Sequence, residues 1–497
     1  MIKNFKWLLL VSLTLIACSS SDDDSTPVEV PVTAGSADFS KYVALGNSLT
    51  AGFSDNALFK KGQEGSYTNI LAQQFALVGG GEFRIPLCGD DNLGGLLAGG
   101  LPIQSTRLCI LGLLPSGRPD IRSIPGTPVT EIAVPLTGQF NNMGVPGAKS
   151  FHLLAPNYGN IAGVASGAAN PYFVRFASNP STTILADALA QSPTFFSLWI
   201  GNNDVLSYAT SGGVGVNQTN NPNSPATYGP NDITDPTVFA GVYSALLDQL
   251  TANGAKGVVS NIPYVTTIPY FRTVTYNAVP LDAANATQLN AGYAAYNGGL
   301  AQAALGGLIT AEEKERRTIT FKAGQNAVVM DDSYLTPLGA LGLPNYRQAT
   351  KEDLLVLPAQ SFLGTLVGGN PAAINGLSVP LADQWVLSKN EVDEIKVAVD
   401  AYNASIKSLA EAKGLAFVDA NSILSQVYNG GISFGNYHLS AYYVSGGTFS
   451  LDGVHPSARG YALIANKFME AINAKYGSTF RPVDLGKYQI QYPAVLN

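Results

Sequence analysis

Ser48 stands in the segment Gly46-Asn47-Ser48-Leu49-Thr50-Ala51-Gly52, directly after the apolar run Tyr42–Leu45. A serine on a tight turn between a strand and a helix exposes its hydroxyl, and the helix N-terminus favours negative charge beside it. A nucleophilic serine also needs a base, and the chain has only 3 histidines. His455 alone follows closely on an acid, in Asp452-Gly453-Val454-His455-Pro456. That spacing lets one loop offer an imidazole to the serine proton and a carboxylate to the opposite ring nitrogen. His152 and His438 lack such a companion and read as structural or surface residues. Two further segments could stabilise an oxyanion. Asn203, in Gly201-Asn202-Asn203-Asp204, carries a side-chain amide donor. In Asn142-Met143-Gly144-Val145-Pro146-Gly147-Ala148, a glycine lets the backbone approach a substrate and present its N–H. Taken singly, each segment is ordinary turn chemistry.

These segments need elements to hold them. Tyr42–Leu45 reads as a short buried strand, and Phe195–Ile200, Gly257–Ile262 and Leu415–Asp419 read as three more. Helices are expected from Asp235-Pro236 to Ala252, with an Asp cap and a Pro in the first turn, and from Ser388 to Lys413. The second opens on a Ser388/Glu391 capping box and carries the stripe Val392, Ile395, Val399, Tyr402, Ile406 and Leu409. A last helix spans Ala458–Tyr476, and Leu281–Leu305 is an Ala-rich helical patch. Strands alternating with helices predict an α/β domain whose parallel sheet is covered on both faces. The stretches 79–140, 211–232 and 263–385 read as insertions forming a cap or rim over the site.

The order and content of the four motifs resemble the SGNH hydrolase superfamily, also called GDSL lipases or acylhydrolases. The resemblance runs over about residues 41–480. It implies a three-layer α/β/α, flavodoxin-like fold with a parallel central sheet and long loop and helical insertions. It implies Ser48 as nucleophile, His455 as base and then acid, and Asp452 as its carboxylate partner. The oxyanion hole would comprise the Ser48 and Gly147 N–H groups and the Asn203 side chain. Gly147 is preferred to Gly144 because the family glycine precedes a small or polar residue at the end of its block. One departure is Asn47, where the family has Asp before the serine. Thr50 stands where the elbow of α/β-hydrolases has glycine, so the turn is of a different kind. The implied activity is carboxylic ester hydrolysis by an esterase or lipase, with no cofactor and no metal. A carbohydrate acetyl esterase has the same chemistry, and a non-catalytic binding lipoprotein is the alternative of another class.

Composition bounds the rest. Charged residues make 13% of 497 and the net charge is −7, with no dense Lys/Arg stripe, which argues against a nucleic-acid partner. The length alone favours several domains. Motifs from Ser48 to His455 must nevertheless meet in one site, so a single enlarged domain over 41–497 is expected. At the N-terminus, Lys3 and Lys6 precede the apolar run Trp7–Ala17. That run is too short for the roughly 20 residues of a bilayer span and reads as a secretory signal over 1–17. Leu15-Ile16-Ala17-Cys18 resembles a bacterial lipoprotein box, which implies lipid on Cys18, a flexible tether over 18–40 and attachment to the outer membrane. An ordinary signal peptide with a chance cysteine is the alternative. The run Ser19-Ser20-Ser21-Asp22-Asp23-Asp24 resembles the acidic export tag of some surface lipoproteins. Cys88 and Cys109 are expected to pair as a disulfide in such a compartment, the alternative being two buried thiols. With no neighbouring His they make no zinc set. Oligomeric state is left open.

Overall fold

The computed structural model describes residues 31–89, 92–221 and 224–496. The expected signal segment 1–17, the lipidation site Cys18 and the greater part of the tether lie outside the described residues. Five strands form the central sheet: β1 Tyr42–Gly46, β2 Asn142–Gly144, β3 Phe195–Trp199, β4 Lys256–Ser260 and β5 Ala416–Val418. All pairs are parallel, and the order across the sheet is β2-β1-β3-β4-β5. This is the flavodoxin-like doubly wound order, in which ligands bind beyond the carboxyl ends of the strands at the β1/β3 switch point. Every residue of β1 and β3 is buried, as expected of strands covered on both faces.

Register aligns the strand ends that matter. Tyr42 pairs with Phe195 and Gly46 with Trp199, while Gly46 also pairs with Gly144. The chain therefore leaves β1, β2 and β3 at one level, and Ser48, Gly147 and Asn203 follow within a few residues.

Helices α1 Ser48–Ala51, α2 Tyr67–Ala76, α3 Asn203–Thr210, α4 Pro236–Thr251, α5 Ala283–Leu305, α6 Lys389–Ala412, α7 Ala420–Asn429 and α8 Ala458–Tyr476 surround the sheet. On one face α2 packs on α8, with the Tyr67 and Phe468 rings 4.8 Å apart. On the other α4 packs on α6 through stacked Phe239 and Tyr402, 4.2 Å between centroids. The molecule is thus a three-layer α/β/α structure. The α6 capping box is formed: the Ser388 N–H donates to Glu391 Oε2 at 2.7 Å and Ser388 Oγ accepts the Glu391 N–H. Asp235 accepts the Thr237 and Val238 N–H groups and starts α4 with Pro236.

The insertions have structure of their own. The 79–140 stretch contains two antiparallel hairpins, Leu96–Ala98 with Leu101–Gln104 and Leu108–Leu113 with Pro119–Ser123. The 263–385 stretch carries α5 and short two-stranded sheets, fastened by Arg347 between Asp332 and Asp353. The expected Cys88–Cys109 disulfide is absent, and both side chains are buried thiols. They sit in different surroundings. Cys88 packs with Phe53, Leu58 and Tyr172 and donates from Sγ to the Leu58 carbonyl, whereas Cys109 belongs to the second hairpin beside Arg107 and Asp55. Among the described residues no helix is long and apolar enough to cross a membrane.

Candidate active site

Ser48 is the first residue of α1, set there because Asn47 caps the helix: its Oδ1 accepts the Leu49 N–H at 3.0 Å. The loop before α8 returns to the same place. Ser48 Oγ lies 2.9 Å from His455 Nε2, although the two residues are 407 positions apart. On the other side of the ring, His455 Nδ1 lies 2.8 Å from Asp452 Oδ2. With Nδ1 donating its proton to the carboxylate, Nε2 is left to accept from the serine hydroxyl, the tautomer a general base requires.

Asp452 is held by a dense set of donors. Its Oδ1 accepts the Val454 and His455 N–H groups, each at 2.8 Å, and the Ser450 hydroxyl at 3.0 Å. Its Oδ2 also accepts the Asn56 N–H at 2.9 Å. Burial alone would push this carboxyl upward, but His455 and the surrounding N–H groups outweigh it and hold Asp452 below its ordinary value. The carboxylate therefore stays ionised at neutral pH. Phe53 packs on the imidazole with ring centres 4.6 Å apart and limits its rotation.

The expected oxyanion donors come to the same cleft, of about 330 Å³, that Ser48, Gly147, Asn203 and His455 border together. Asn203 opens α3, and its Nδ2 donates to the Ala148 carbonyl at 2.9 Å. One amide hydrogen is engaged there and the second is available. Gly147 has φ +82°, a conformation that favours glycine. The Ser48 and Gly147 N–H groups donate to no other group among the described residues. Gly144 instead ends β2 against Ala51, away from this cleft.

Several positioning residues carry no signature of their own in the sequence. Asp204 is buried and accepts both the N–H and the hydroxyl of Ser150, at 2.8 and 2.7 Å, which ties the Gly147 loop to the start of α3. Asn170 Nδ2 donates to the Pro146 carbonyl at 2.8 Å and braces that loop from outside. Asn47 Nδ2 donates to Asn202 Oδ1 at 3.2 Å, so this amide links the ends of β1 and β3. Asp204 and Asn47 are marked only by adjoining Asn203 and Ser48 in the chain, and Asn170 by nothing.

The other histidines are placed elsewhere. His152 Nδ1 accepts the Lys149 N–H at 3.0 Å and stacks on Tyr158, and burial, with Lys149 nearby, lowers it to about 3. His438 lies in a short hairpin with Ser433. Among the described residues no group of three His, Cys, Asp or Glu side chains is arranged to hold a metal ion.

No family model matches the chain, and no curated protein matches it. Among solved structures it is similar to an α/β hydrolase enzyme from the metagenome of Lake Arreo, with 12% identity, TM-score 0.31, and 88% of this chain and 96% of that one covered. It is similar also to a catalytic mutant of an acetylxylan esterase from Geobacillus stearothermophilus, at 11% identity and TM-score 0.30, over 88% and 95% of the two chains. An extracellular lipase from Streptomyces rimosus is 13% identical, with TM-score 0.28 and coverages of 87% and 98%. Such remote likeness assigns no activity to this chain.

Proposed function

We propose that the protein is a serine-dependent carboxylic ester hydrolase working through an acyl-enzyme. The observation that carries the reading is the continuous Ser48–His455–Asp452 hydrogen-bonded chain, with contacts of 2.9 and 2.8 Å, opening on a cleft with unspent N–H donors. His455 Nε2 takes the Ser48 proton as Oγ adds to the ester carbonyl. Negative charge develops on the carbonyl oxygen, where the Ser48 and Gly147 N–H groups and Asn203 Nδ2 are disposed to receive it. Collapse of the tetrahedral intermediate expels the alcohol, which collects the proton from His455. Water, deprotonated by the same nitrogen, then releases the acid and restores Ser48. Throughout, Asp452 stabilises the imidazolium without itself taking the proton.

Location belongs to the same proposal. The Leu15-Ile16-Ala17-Cys18 segment supports a lipid on Cys18 and residence at the outer membrane, which mass analysis of the mature N-terminus tests. The activity is tested with p-nitrophenyl acetate. Wild type should release p-nitrophenol under conditions where Ser48→Ala does not exceed the rate in buffer. Equal rates for the two proteins would overturn the reading.

A further inference from the structure

A second cavity meets the cleft at Ser48 and His455, and its chemistry differs. It runs from the catalytic serine between α7, α8 and the segment around Ile268, is partly open to solvent, and offers about 110 Å³ of space. Its walls are almost wholly apolar, from Leu206 of α3, Ile423 and Leu424 of α7, Leu463 of α8, Ile268 and Phe449. The first cleft is more polar, edged by Asn56, Ser207, Thr210 and Tyr270. An ester at Ser48 places its acyl chain and its alcohol on opposite sides of the reacting carbon. The two spaces that meet there, one apolar and one more polar, can sort those halves.

We propose that the apolar cavity is the acyl-chain site and that the enzyme acts on esters of short to medium aliphatic acids, with the alcohol in the polar cleft. This inference rests on the ester-hydrolase reading above and names its substrate class. Size sets the chain length. An apolar cavity of about 150 Å³ accepts a benzene ring and stays dry when empty. A cavity of about 110 Å³ therefore holds roughly four to six carbons, more than an acetyl group and far less than a palmitoyl chain. Each methylene buried there in the transition state is worth about 0.8 kcal/mol, or roughly fourfold in kcat/KM. Specificity of this kind persists through deacylation, because the acyl chain stays in place after the alcohol has left.

The test is a series of p-nitrophenyl esters with the leaving group fixed and the acyl chain varied from acetate to palmitate. For wild type, kcat/KM should climb about fourfold per carbon as far as butyrate to hexanoate, then level or fall. Ile423→Trp, which fills the cavity from a half-buried position on α7, should lower the hexanoate-to-acetate ratio by tenfold or more. Ile423→Ala should move the optimum toward longer chains. A flat profile, or an optimum at acetate or palmitate, in a protein whose hydrolysis depends on Ser48 overturns the acyl-site assignment and leaves the ester-hydrolase reading standing. Absence of Ser48-dependent hydrolysis of every ester overturns both. Because the wild-type profile decides the question alone, a variant that fails to fold does not protect the proposal.

Discussion

Asp55 Oδ1 accepts the backbone N–H of Leu451 at 2.9 Å, joining the turn after Ser48 to the residue that precedes Asp452. The contact is reciprocated. The Asp55 N–H donates to Ser450 Oγ at 3.0 Å, and the next N–H, from Asn56, goes to Asp452 Oδ2. Asp55 and Asn56 both have positive φ, 50° and 63°, an uncommon conformation for residues with a side chain. That local strain aims two successive N–H groups at the loop that carries Asp452 and His455. Arg107, from the 79–140 insertion, stands 3.9 Å from the Asp55 carboxylate, with both side chains almost wholly buried. The insertion thus reaches Asp55, and through it the Asp452 loop, by this ion pair and by the Leu108 N–H, which donates to the Asp55 carbonyl at 2.7 Å.

Asp55 should make stability depend on pH. Burial pushes its carboxyl up to about 7, against the pull of the Leu451 N–H, with Asp452 adding to the rise and Arg107 opposing it. A carboxyl raised in the folded state binds its proton more tightly folded than unfolded. Its contribution is complete below the ordinary carboxylate range and is lost as pH rises through about 7. Between pH 5 and 7 wild type should therefore lose stability relative to Asp55→Asn, while His152, held near 3 in the fold, adds stability up to its ordinary value of 6.5 equally in both proteins. Glu391, also pushed to about 7 chiefly by burial, contributes in the same direction and leaves a residual slope in the variant. Melting curves with equal slopes for the two proteins would contradict this.

Asn203→Ala should leave the fold intact and cut kcat. Removing one oxyanion donor costs about 2.7–4 kcal/mol in comparable sites, roughly a hundredfold to a thousandfold in rate. Because the donor acts mainly in the transition state, kcat should fall far more than KM rises. A loss of only a few-fold would take Asn203 out of the hole.

Arg347 should be a stability hot spot remote from the chemistry. Its Nε lies 2.5 Å from Asp332 and its Nη1 2.7 Å from Asp353, all three groups being buried. Asp353 also accepts the Lys389 N–H at the start of α6, so the cluster fastens the 263–385 insertion to the α/β layers. Arg347→Met strands two carboxylates and should cost about 3–5 kcal/mol, seen as a lower denaturation midpoint. An unchanged midpoint would show that the cluster adds nothing to stability.

Much of this site is legible in the sequence because its parts are local. Ser48 sits on a strand-to-helix turn, His455 and Asp452 share one loop, and Asn203 follows a strand marked by the short apolar run Phe195–Ile200. The long helices are legible for the same reason, since the Ser388 capping box and the stripe from Val392 to Leu409 are written into neighbouring positions. The rest is carried by contacts between distant segments, which no local pattern displays. β2, three residues long, has no periodicity to display, and only its pairing with Gly46 makes it a strand. Asp55 and Arg107 meet across the fold from a turn and a hairpin, neither with a motif. The disulfide expectation failed for a related reason: composition indicates that two cysteines could pair, but only packing decides whether they meet. Here Cys88 lies beside Leu58 and Tyr172 and Cys109 beside Arg107.

The most direct measurement is the mass of the intact protein after reaction with a fluorophosphonate, followed by peptide mapping. The expected result is one stoichiometric adduct on Ser48, absent in Ser48→Ala and formed at least a hundredfold more slowly in His455→Ala. No adduct on Ser48, or an adduct formed at the same rate without His455, would contradict a serine nucleophile activated by this histidine.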